Sequence, residues 1–168
     1  MRRYHSTIMI VDDSPDDLMF TERAFRKIGV KNPIHAVNSG EEAIAYMMGR
    51  GKFSDRDVYS CPSFITTDLK MPGMDGFALL EHLKQNPDWA GIPAVVLTSS
   101  GSLNDVKKAY MLGASSYHLK PVSTFDLCKQ LKVLHDYWMT CEVPEMDSSG
   151  RQIFTQSEGK LGERFSQV

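Results

Sequence analysis

Five short segments of strand-forming residues alternate with five segments of helical periodicity, and this alternation restricts the chain to very few folds. The first stretch, Thr7–Val11, is almost wholly apolar, as is typical of a strand buried on both faces of a sheet. Further strands are predicted at 33–37, 64–67, 93–97 and 115–119. Because strands that alternate with helices form parallel sheets through right-handed crossovers, the sequence predicts an α/β domain with one parallel sheet.

Serine residues mark the starts of four of the five helices. Ser14, Ser39, Ser102 and Ser123 each precede a segment whose apolar residues recur three or four positions apart. An acidic residue three positions on, as after the last three of these serines, is the pattern of a capping box. The third helix is predicted to begin at about Asp75, where Pro72, Gly73 and Gly76 interrupt the chain.

Two segments fall outside this alternation. Residues 49–63 contain glycine, aspartate and proline and are predicted to form a long loop, which is uncommon in a compact domain and suggests a function. Residues 142–168 are rich in Ser, Gly, Gln and Glu and are predicted to form a flexible C-terminal tail. The predicted domain therefore spans 1–141, with no second domain after it.

The composition is that of a soluble globular protein. The 168 residues are 42% hydrophobic and 24% charged, which suits one domain with a sizeable core. A net charge of -2 argues against a nucleic-acid partner, and no apolar run is long enough to span a membrane. The three cysteines lack metal-ligand spacing, which favours a reduced, cytoplasmic setting.

Polar side chains with related chemistry follow four of the five predicted strands. Asp12 and Asp13 follow the first strand, Asp68 the third, Thr98 the fourth and Lys120 the fifth. Parallel strands bring their carboxyl ends to one edge of the sheet, where open α/β sheets bind ligands. We therefore expect these side chains to lie together.

This set of residues suits phosphoryl transfer. Three neighbouring carboxylates repel one another unless a cation joins them, and hard oxygen ligands favour Mg²⁺. The Asp68 carboxylate can attack phosphorus and carry an aspartyl-phosphate, while the Lys120 ammonium and the Thr98 hydroxyl can bind phosphoryl oxygens. Metal and lysine would stabilise the charge of the transferring group.

Taken singly, each of these residues has an ordinary explanation. Asp12 and Asp13 could simply favour the start of the following helix. Thr98 alone could be a strand-end residue, Lys120 a solvated lysine, and Tyr117 a half-buried packing residue. Only their joint occurrence at separate strand ends points specifically to a site for phosphoryl transfer.

The same residues resemble the receiver domains of two-component response regulators over about 6–140. The matching features are Asp12–Asp13, the 68–76 segment (DLKMPGMDG), Thr98–Ser99 and Lys120–Pro121. The resemblance implies a flavodoxin-like, doubly wound, five-stranded parallel sheet of order 2-1-3-4-5 with five helices, the topology for which a receiver is itself a standard example.

The resemblance also implies the metal site. Asp68 would be the phosphoacceptor, and Asp13 would bind Mg²⁺ or Mn²⁺ directly. Asp12 would act as the partner of Asp13, often through water. Lys70 would contribute its backbone carbonyl to the metal.

Further roles implied by the resemblance concern the phosphoryl group. Thr98 and Lys120 would bind it, and the Lys120–Pro121 peptide bond would be cis. Tyr117 occupies the position of the family's aromatic switch, which would respond together with Thr98.

These features predict a single-domain response regulator that accepts a phosphoryl group from a histidine kinase and is not a turnover enzyme. The long 49–63 segment resembles the short stand-alone receivers that serve phytochrome-type kinases. Output is expected through the last strand and its flanking helices, about 102–112 and 123–139, toward a homodimer or a downstream protein.

Two alternatives remain open at this point. A Mg²⁺-dependent phosphohydrolase would need an acid two residues after the nucleophilic aspartate, where this sequence has Lys70. A pseudo-receiver, which acts without phosphorylation, typically lacks a key residue, and none is missing here.

Overall fold

The computed structural model describes residues 6–153, so residues 1–5 and 154–168, including most of the predicted tail, lie outside the description. The strands are β1 (Thr7–Val11), β2 (Ile34–Val37), β3 (Pro62–Thr67), β4 (Ala94–Thr98) and β5 (Ser116–Leu119). The helices are α1 (Pro15–Lys27), α2 (Gly40–Met47), α3 (Gly76–Gln85), α4 (Leu103–Met111) and α5 (Thr124–Thr140).

The five strands form one parallel sheet in the order β2-β1-β3-β4-β5. β1 pairs with β2 on one side and with β3 on the other, so that Val11 lies opposite both Val37 of β2 and Thr67 of β3. Every residue of β1 and of β4 is buried, which agrees with their continuous apolar sequences. The predicted fold class, strand order and helix number are confirmed.

Alternate residues of the central strands enter two separate cores. Ile8 and Ile10 of β1 pack against α1 and α5, where Phe25 and Leu131 are fully buried. Met9 and Val11 of the same strand face the opposite layer of α2, α3 and α4. The two-residue period of a strand therefore distributes one apolar run between both faces of the sheet.

The helix starts follow the predicted caps. The hydroxyls of Ser14, Ser39, Ser102 and Ser123 each accept a hydrogen bond from the backbone N–H three residues later. The carboxylate of Asp75 does the same for α3. The helices α1, α4 and α5 follow β1, β4 and β5, whose carboxyl ends carry predicted site residues. These caps therefore also define where the loops after those strands end.

The segment predicted as a long loop is more ordered than the sequence suggests. It contains a 3-10 turn at Gly51–Phe53, and β3 already begins at Pro62 rather than at residue 64. Phe53 and Tyr59 pack edge to face at 5.2 Å, and both contact Tyr46 of α2. Aromatic packing of this kind holds the segment against the domain.

Residues 142–153, which we call the C-terminal strap, fold back over the amino ends of β3 and β4. The Ser148 carbonyl accepts hydrogen bonds from the backbone of Cys61 (3.1 Å) and from the side chain of Arg56 (3.0 Å). The Gln152 backbone N–H donates to Asp88, and Gly150 lies against Cys61. The boundary between domain and tail stays a prediction. Within residues 6–153, no helix is long and apolar enough to cross a membrane.

Candidate functional site

The carboxyl ends of the strands bring the predicted site residues together. The Asp68 backbone N–H donates to the Val11 carbonyl at 3.0 Å, which sets Asp68 beside Asp12. The Lys120 N–H donates to the Thr98 carbonyl at 2.8 Å, which sets Lys120 beside Thr98. The β3–β4 register, in which Thr67 lies opposite Val96, joins the two pairs and places four of the predicted residues at the carboxyl ends of the strands.

The ammonium of Lys120 is the centre of this arrangement. Its Nζ lies 2.6 Å from Asp12 Oδ2, 2.8 Å from Asp68 Oδ2 and 2.7 Å from Asp17 Oδ2. The Lys120 side chain is 15% exposed, so these ion pairs form in a partly desolvated pocket.

Asp17 is a site residue that the sequence analysis missed. As an acid in the first turn of α1, it has a sufficient local explanation there, because carboxylates favour helix starts. The available signal was its spacing: Thr21, one helical turn later, is buried, so Asp17 also lies on the side of α1 that faces the sheet.

The acidic residues could hold a divalent cation. One ligand oxygen each from Asp12, Asp13 and Asp68 lies within 4.8 Å of the others. Asp12 is 5% and Asp68 9% exposed, whereas Asp13 is exposed to solvent. Three hard oxygen donors with one open side suit Mg²⁺ or Mn²⁺, so the residues present fit the metal that the resemblance implies.

Burial and charge act in opposite directions on these groups. Burial raises the pKa of Asp12 above its usual value, and the hydrogen bond from Lys120 only partly opposes this. Burial alone would lower the pKa of Lys120, but its bonds to Asp12, Asp17 and Asp68 raise it overall. The lysine is therefore a charged ammonium, and it neutralises only part of the negative charge around it.

The Asp68 carboxylate is fixed by its own loop. Its Oδ1 accepts a hydrogen bond from the backbone N–H of Leu69 at 2.6 Å, while Oδ2 accepts from Lys120. The loop then closes so tightly that a Cβ at Gly76 would collide with the Asp68 carbonyl oxygen. Glycine is required at this position for a steric reason.

A chain of hydrogen bonds joins the predicted switch residues. The hydroxyl of Thr98, which is buried, accepts from the Ser100 N–H at 3.3 Å. The Tyr117 hydroxyl donates to the Ser100 carbonyl at 2.8 Å, and the Ser100 hydroxyl donates to Asp105 at 2.5 Å. Thr98 and Tyr117 therefore contact the same residue, although their switching role stays a prediction.

Lys70 points away from the acids. Its Nζ lies 3.1 Å from Asp105 Oδ2. The hydrogen bond from the Ser100 hydroxyl and, to a smaller extent, this ion pair lower the pKa of Asp105. Whether its backbone carbonyl binds metal remains a prediction.

One implied feature is wrong. No peptide bond within residues 6–153 is cis, so the Lys120–Pro121 bond is trans. Trans is the form that X–Pro bonds favour, and the Lys120 ammonium reaches all its carboxylate partners with the bond in this form.

Sequence comparison finds related proteins over most of the chain. Residues 8–132 match the response regulator receiver domain family. The probable methanogenesis regulatory protein FilR2 of Methanothrix harundinacea is 31% identical over 132 residues, covering 79% of this chain and 83% of that protein. Response regulator Rcp1 of Synechocystis sp. is 30% identical over 132 residues, covering 79% of this chain and 88% of Rcp1.

Solved structures agree with these matches. The phosphorylated cyanobacterial phytochrome response regulator RcpA superposes with a TM-score of 0.76 at 28% identity, covering 84% of this chain and 99% of that one. The Mn²⁺-bound form of Rcp1 superposes with a TM-score of 0.74 at 29% identity, covering 83% and 99%. Together with the family match, these likenesses show that the chain belongs to the response regulator receiver domains of two-component signalling, phosphoryl-accepting domains that bind divalent metal and partner with histidine kinases.

Proposed function

We propose that Asp68 is the phosphoacceptor of this response regulator and that its phosphorylation requires Mg²⁺ or Mn²⁺. One observation supports this above all: Asp68 lies at a strand end between a lysine ammonium and two further carboxylates. Elsewhere in residues 6–153, no other three potential ligands of the His, Cys, Asp or Glu type are grouped in this way.

In the proposed reaction, a carboxylate oxygen of Asp68 attacks phosphorus, and the bond from phosphorus to the histidine nitrogen of the kinase breaks. The Lys120 ammonium and the Thr98 hydroxyl donate hydrogen bonds to the phosphoryl oxygens. A divalent ion held by Asp12, Asp13 and Asp68 would neutralise charge on the transferring group.

The domain accordingly assists its own phosphorylation and dephosphorylation without being a turnover enzyme. A phosphohydrolase is disfavoured because Lys70, where that mechanism needs an acid, is engaged with Asp105. A pseudo-receiver is disfavoured because Asp12, Asp13 and Asp68 are all present and grouped.

The kinase is proposed to be of the phytochrome type. The support is likeness to RcpA, which is described as a phytochrome response regulator. A reduced, cytoplasmic setting is part of the proposal, since Cys61, Cys128 and Cys141 are free thiols.

Output is proposed to leave through the face formed by α4, β5 and α5. Leu103 and Met111 of α4 and Phe125 of α5 are among its exposed apolar side chains, at 83%, 77% and 69%. Tyr110 is half exposed, so part of its ring is accessible on this face. Such a surface suits a homodimer or a downstream protein.

Sedimentation with and without a beryllofluoride phosphoryl mimic tests this face in the wild type and in Tyr110→Glu. The mimic should shift self-association, or binding of the partner, in the wild type and shift it less in the variant. If the mimic changes neither association nor hydrogen exchange of α4, output leaves through another surface.

The function itself is tested with a small acyl-phosphate donor and intact-protein mass spectrometry. The wild type should gain one phosphoryl group in Mg²⁺ and none in chelator. Asp68→Asn should gain none, whereas Asp57→Asn, a change to an exposed loop acid, should behave as the wild type. Equal labelling of wild type and Asp68→Asn would refute the assignment.

A further inference from the structure

We propose that Asp17 is a positioning residue for Lys120 and that it thereby strengthens divalent-cation binding by Asp12, Asp13 and Asp68. This inference rests on the proposed function of the same site. It assigns a role to a side chain that the strand-end pattern does not include.

The geometry of the Lys120 ammonium supports this role. A lysine ammonium has three N–H donors, and Lys120 directs them to three different carboxylates at 2.6, 2.7 and 2.8 Å. Asp17 therefore accepts one bond that would otherwise be directed at Asp12, Asp68 or a phosphoryl oxygen.

Asp17 differs in kind from Asp12 and Asp68, the other two partners of Lys120. The carboxylates of Asp12 and Asp68 belong to the oxygen cluster suited to a cation, and that of Asp17 does not. A cation and Lys120 must therefore compete for Asp12 and Asp68, but they do not compete for Asp17. The Asp17 side chain is also 38% exposed, against 7% for Asp12, so it bears its charge at a lower desolvation cost.

Asp17 is also held in place by hydrogen bonds at the start of α1. Its backbone N–H donates to the Ser14 hydroxyl at 3.2 Å, and the Ser14 N–H donates to Asp12 Oδ1 at 3.0 Å. The start of α1 is thus tied to the acid cluster, so the Asp17 carboxylate has a defined position relative to it.

There is also room for the ammonium beside Asp17. A cleft of about 170 Å³ lies between α1 and the start of α5, and Asp17 and Lys120 both line it. A cation at the cluster would repel the ammonium toward Asp17, which would retain it within reach of the site. Without Asp17, the ammonium would keep Asp12 and Asp68 as its partners and oppose the cation directly.

The test compares Asp17→Asn with Asp16→Asn. Asp16 has the same charge and lies in the same helical turn, but it is exposed and forms no side-chain bond within the described residues. Calorimetric titration with Mg²⁺ should show roughly 5-fold weaker binding for Asp17→Asn, because the Lys120 ammonium then opposes the cation at Asp12 and Asp68. For Asp16→Asn the binding should weaken by less than about 2-fold, because that charge is screened by solvent and does not hold the ammonium.

A second variant separates positioning from folding. Asp17→Glu keeps the charge at the helix start and should retain most of the Mg²⁺ affinity. In phosphorylation assays, Asp17→Asn should raise the Mg²⁺ concentration needed for half-maximal labelling of Asp68 more than it lowers the rate at saturating Mg²⁺. A purely structural role would lower stability in chelator without this difference.

Equal weakening by Asp17→Asn and Asp16→Asn would overturn the proposal, and so would unchanged Mg²⁺ affinity in Asp17→Asn. If Asp17→Asn does not fold, loss of affinity in a folded Asp17→Glu protein equal to that of a metal-ligand variant such as Asp13→Ala would overturn it as well. A wild type that binds Mg²⁺ but is never labelled at Asp68 refutes the proposed function instead, and a wild type that does not bind Mg²⁺ refutes both.

Discussion

Two partly buried lysines lie at opposite ends of the parallel strands and differ in the partners that they bind. Lys120 follows β5 and binds three carboxylates. Lys84, in the last turn of α3, donates to the backbone carbonyls of Ala90 (2.8 Å) and Ile92 (3.3 Å). Within residues 6–153, no carboxylate pairs with Lys84. The pKa of Lys84 is lowered by burial, while that of Lys120 is raised overall, despite burial, by its carboxylate partners.

The difference lies in the partners rather than in the lysine. Backbone carbonyls carry no net charge, so a divalent cation or a phosphoryl group would not change the partners of Lys84. This lysine therefore stabilises the loop before β4. Carboxylates do carry charge, and a divalent cation or a phosphoryl group can change the partners of Lys120. Changes to the two lysines and to the acids around Lys120 therefore test this contrast.

The largest effect is expected on phosphorylation. Lys120→Met removes a donor to the phosphoryl oxygens, and the rate of labelling by an acyl-phosphate should fall by about 100-fold or more. Lys84→Met should stay within about 2-fold of wild type, because the cost is only structural. Rate measurements at saturating Mg²⁺ check both variants, and similar losses in the two would remove the distinction between the lysines.

The next effect concerns stability in chelator. Lys120→Met leaves buried carboxylates without their cation and should lower the free energy of unfolding by about 3 kcal/mol, much of which excess Mg²⁺ should restore. Lys84→Met should lose about 1 kcal/mol, equally with and without Mg²⁺. Urea unfolding of each variant under both conditions measures this. A Mg²⁺-dependent loss in Lys84→Met would contradict the contrast.

The third prediction concerns the repulsion among the acids. Asp13→Ala removes one exposed carboxylate from the cluster, so the metal-free protein should keep its fold and melt at the same temperature or slightly higher. The rise in melting temperature that Mg²⁺ produces in the wild type should be lost. A variant still stabilised by Mg²⁺ as much as wild type would show that Asp13 is not a ligand.

The smallest effect is a pair of opposite pH slopes. The folded-state pKa of Lys120 lies above its ordinary value of 10.5, so its stabilisation is complete below that pH and is lost as pH rises further. The folded-state pKa of Lys84 lies below 10.5, so its stability contribution improves as pH rises toward that value. Unfolding free energies of wild type minus each Met variant, between about pH 9 and about pH 11, should therefore change in opposite directions. Parallel slopes would contradict the assigned causes.

The strand-end residues of the site were predictable from the sequence. Asp12, Asp68, Thr98 and Lys120 each stand directly after, or at the end of, a predicted strand, and parallel pairing brings such ends together whatever the loops do. Their specific roles in catalysis and metal binding remain predictions. The sheet order was implied by the resemblance, and the structure confirms it.

Asp17 could not be assigned in the same way. Its contact with Lys120 depends on how α1 lies across the sheet, which is set by the packing of side chains such as Phe25 in the shared core with α5. A local preference for acids at helix starts was a sufficient explanation of its presence. Its spacing from Thr21 places it on the sheet side of α1 but does not indicate Lys120 as its partner.

The carboxyl and amino ends of the strands differ in how much of their structure the sequence predicted. Apolar periodicity, serine caps and strand-end polar residues are local signals, and they determined the alternation of elements and the site at the carboxyl edge. At the amino ends of the strands, the composition of 142–168 predicted a tail, yet the C-terminal strap within it packs against Cys61 and Asp88 through contacts between residues far apart in the chain. Tertiary structure alone decided that packing and the third partner of Lys120, because both are contacts between elements whose relative placement depends on the whole core.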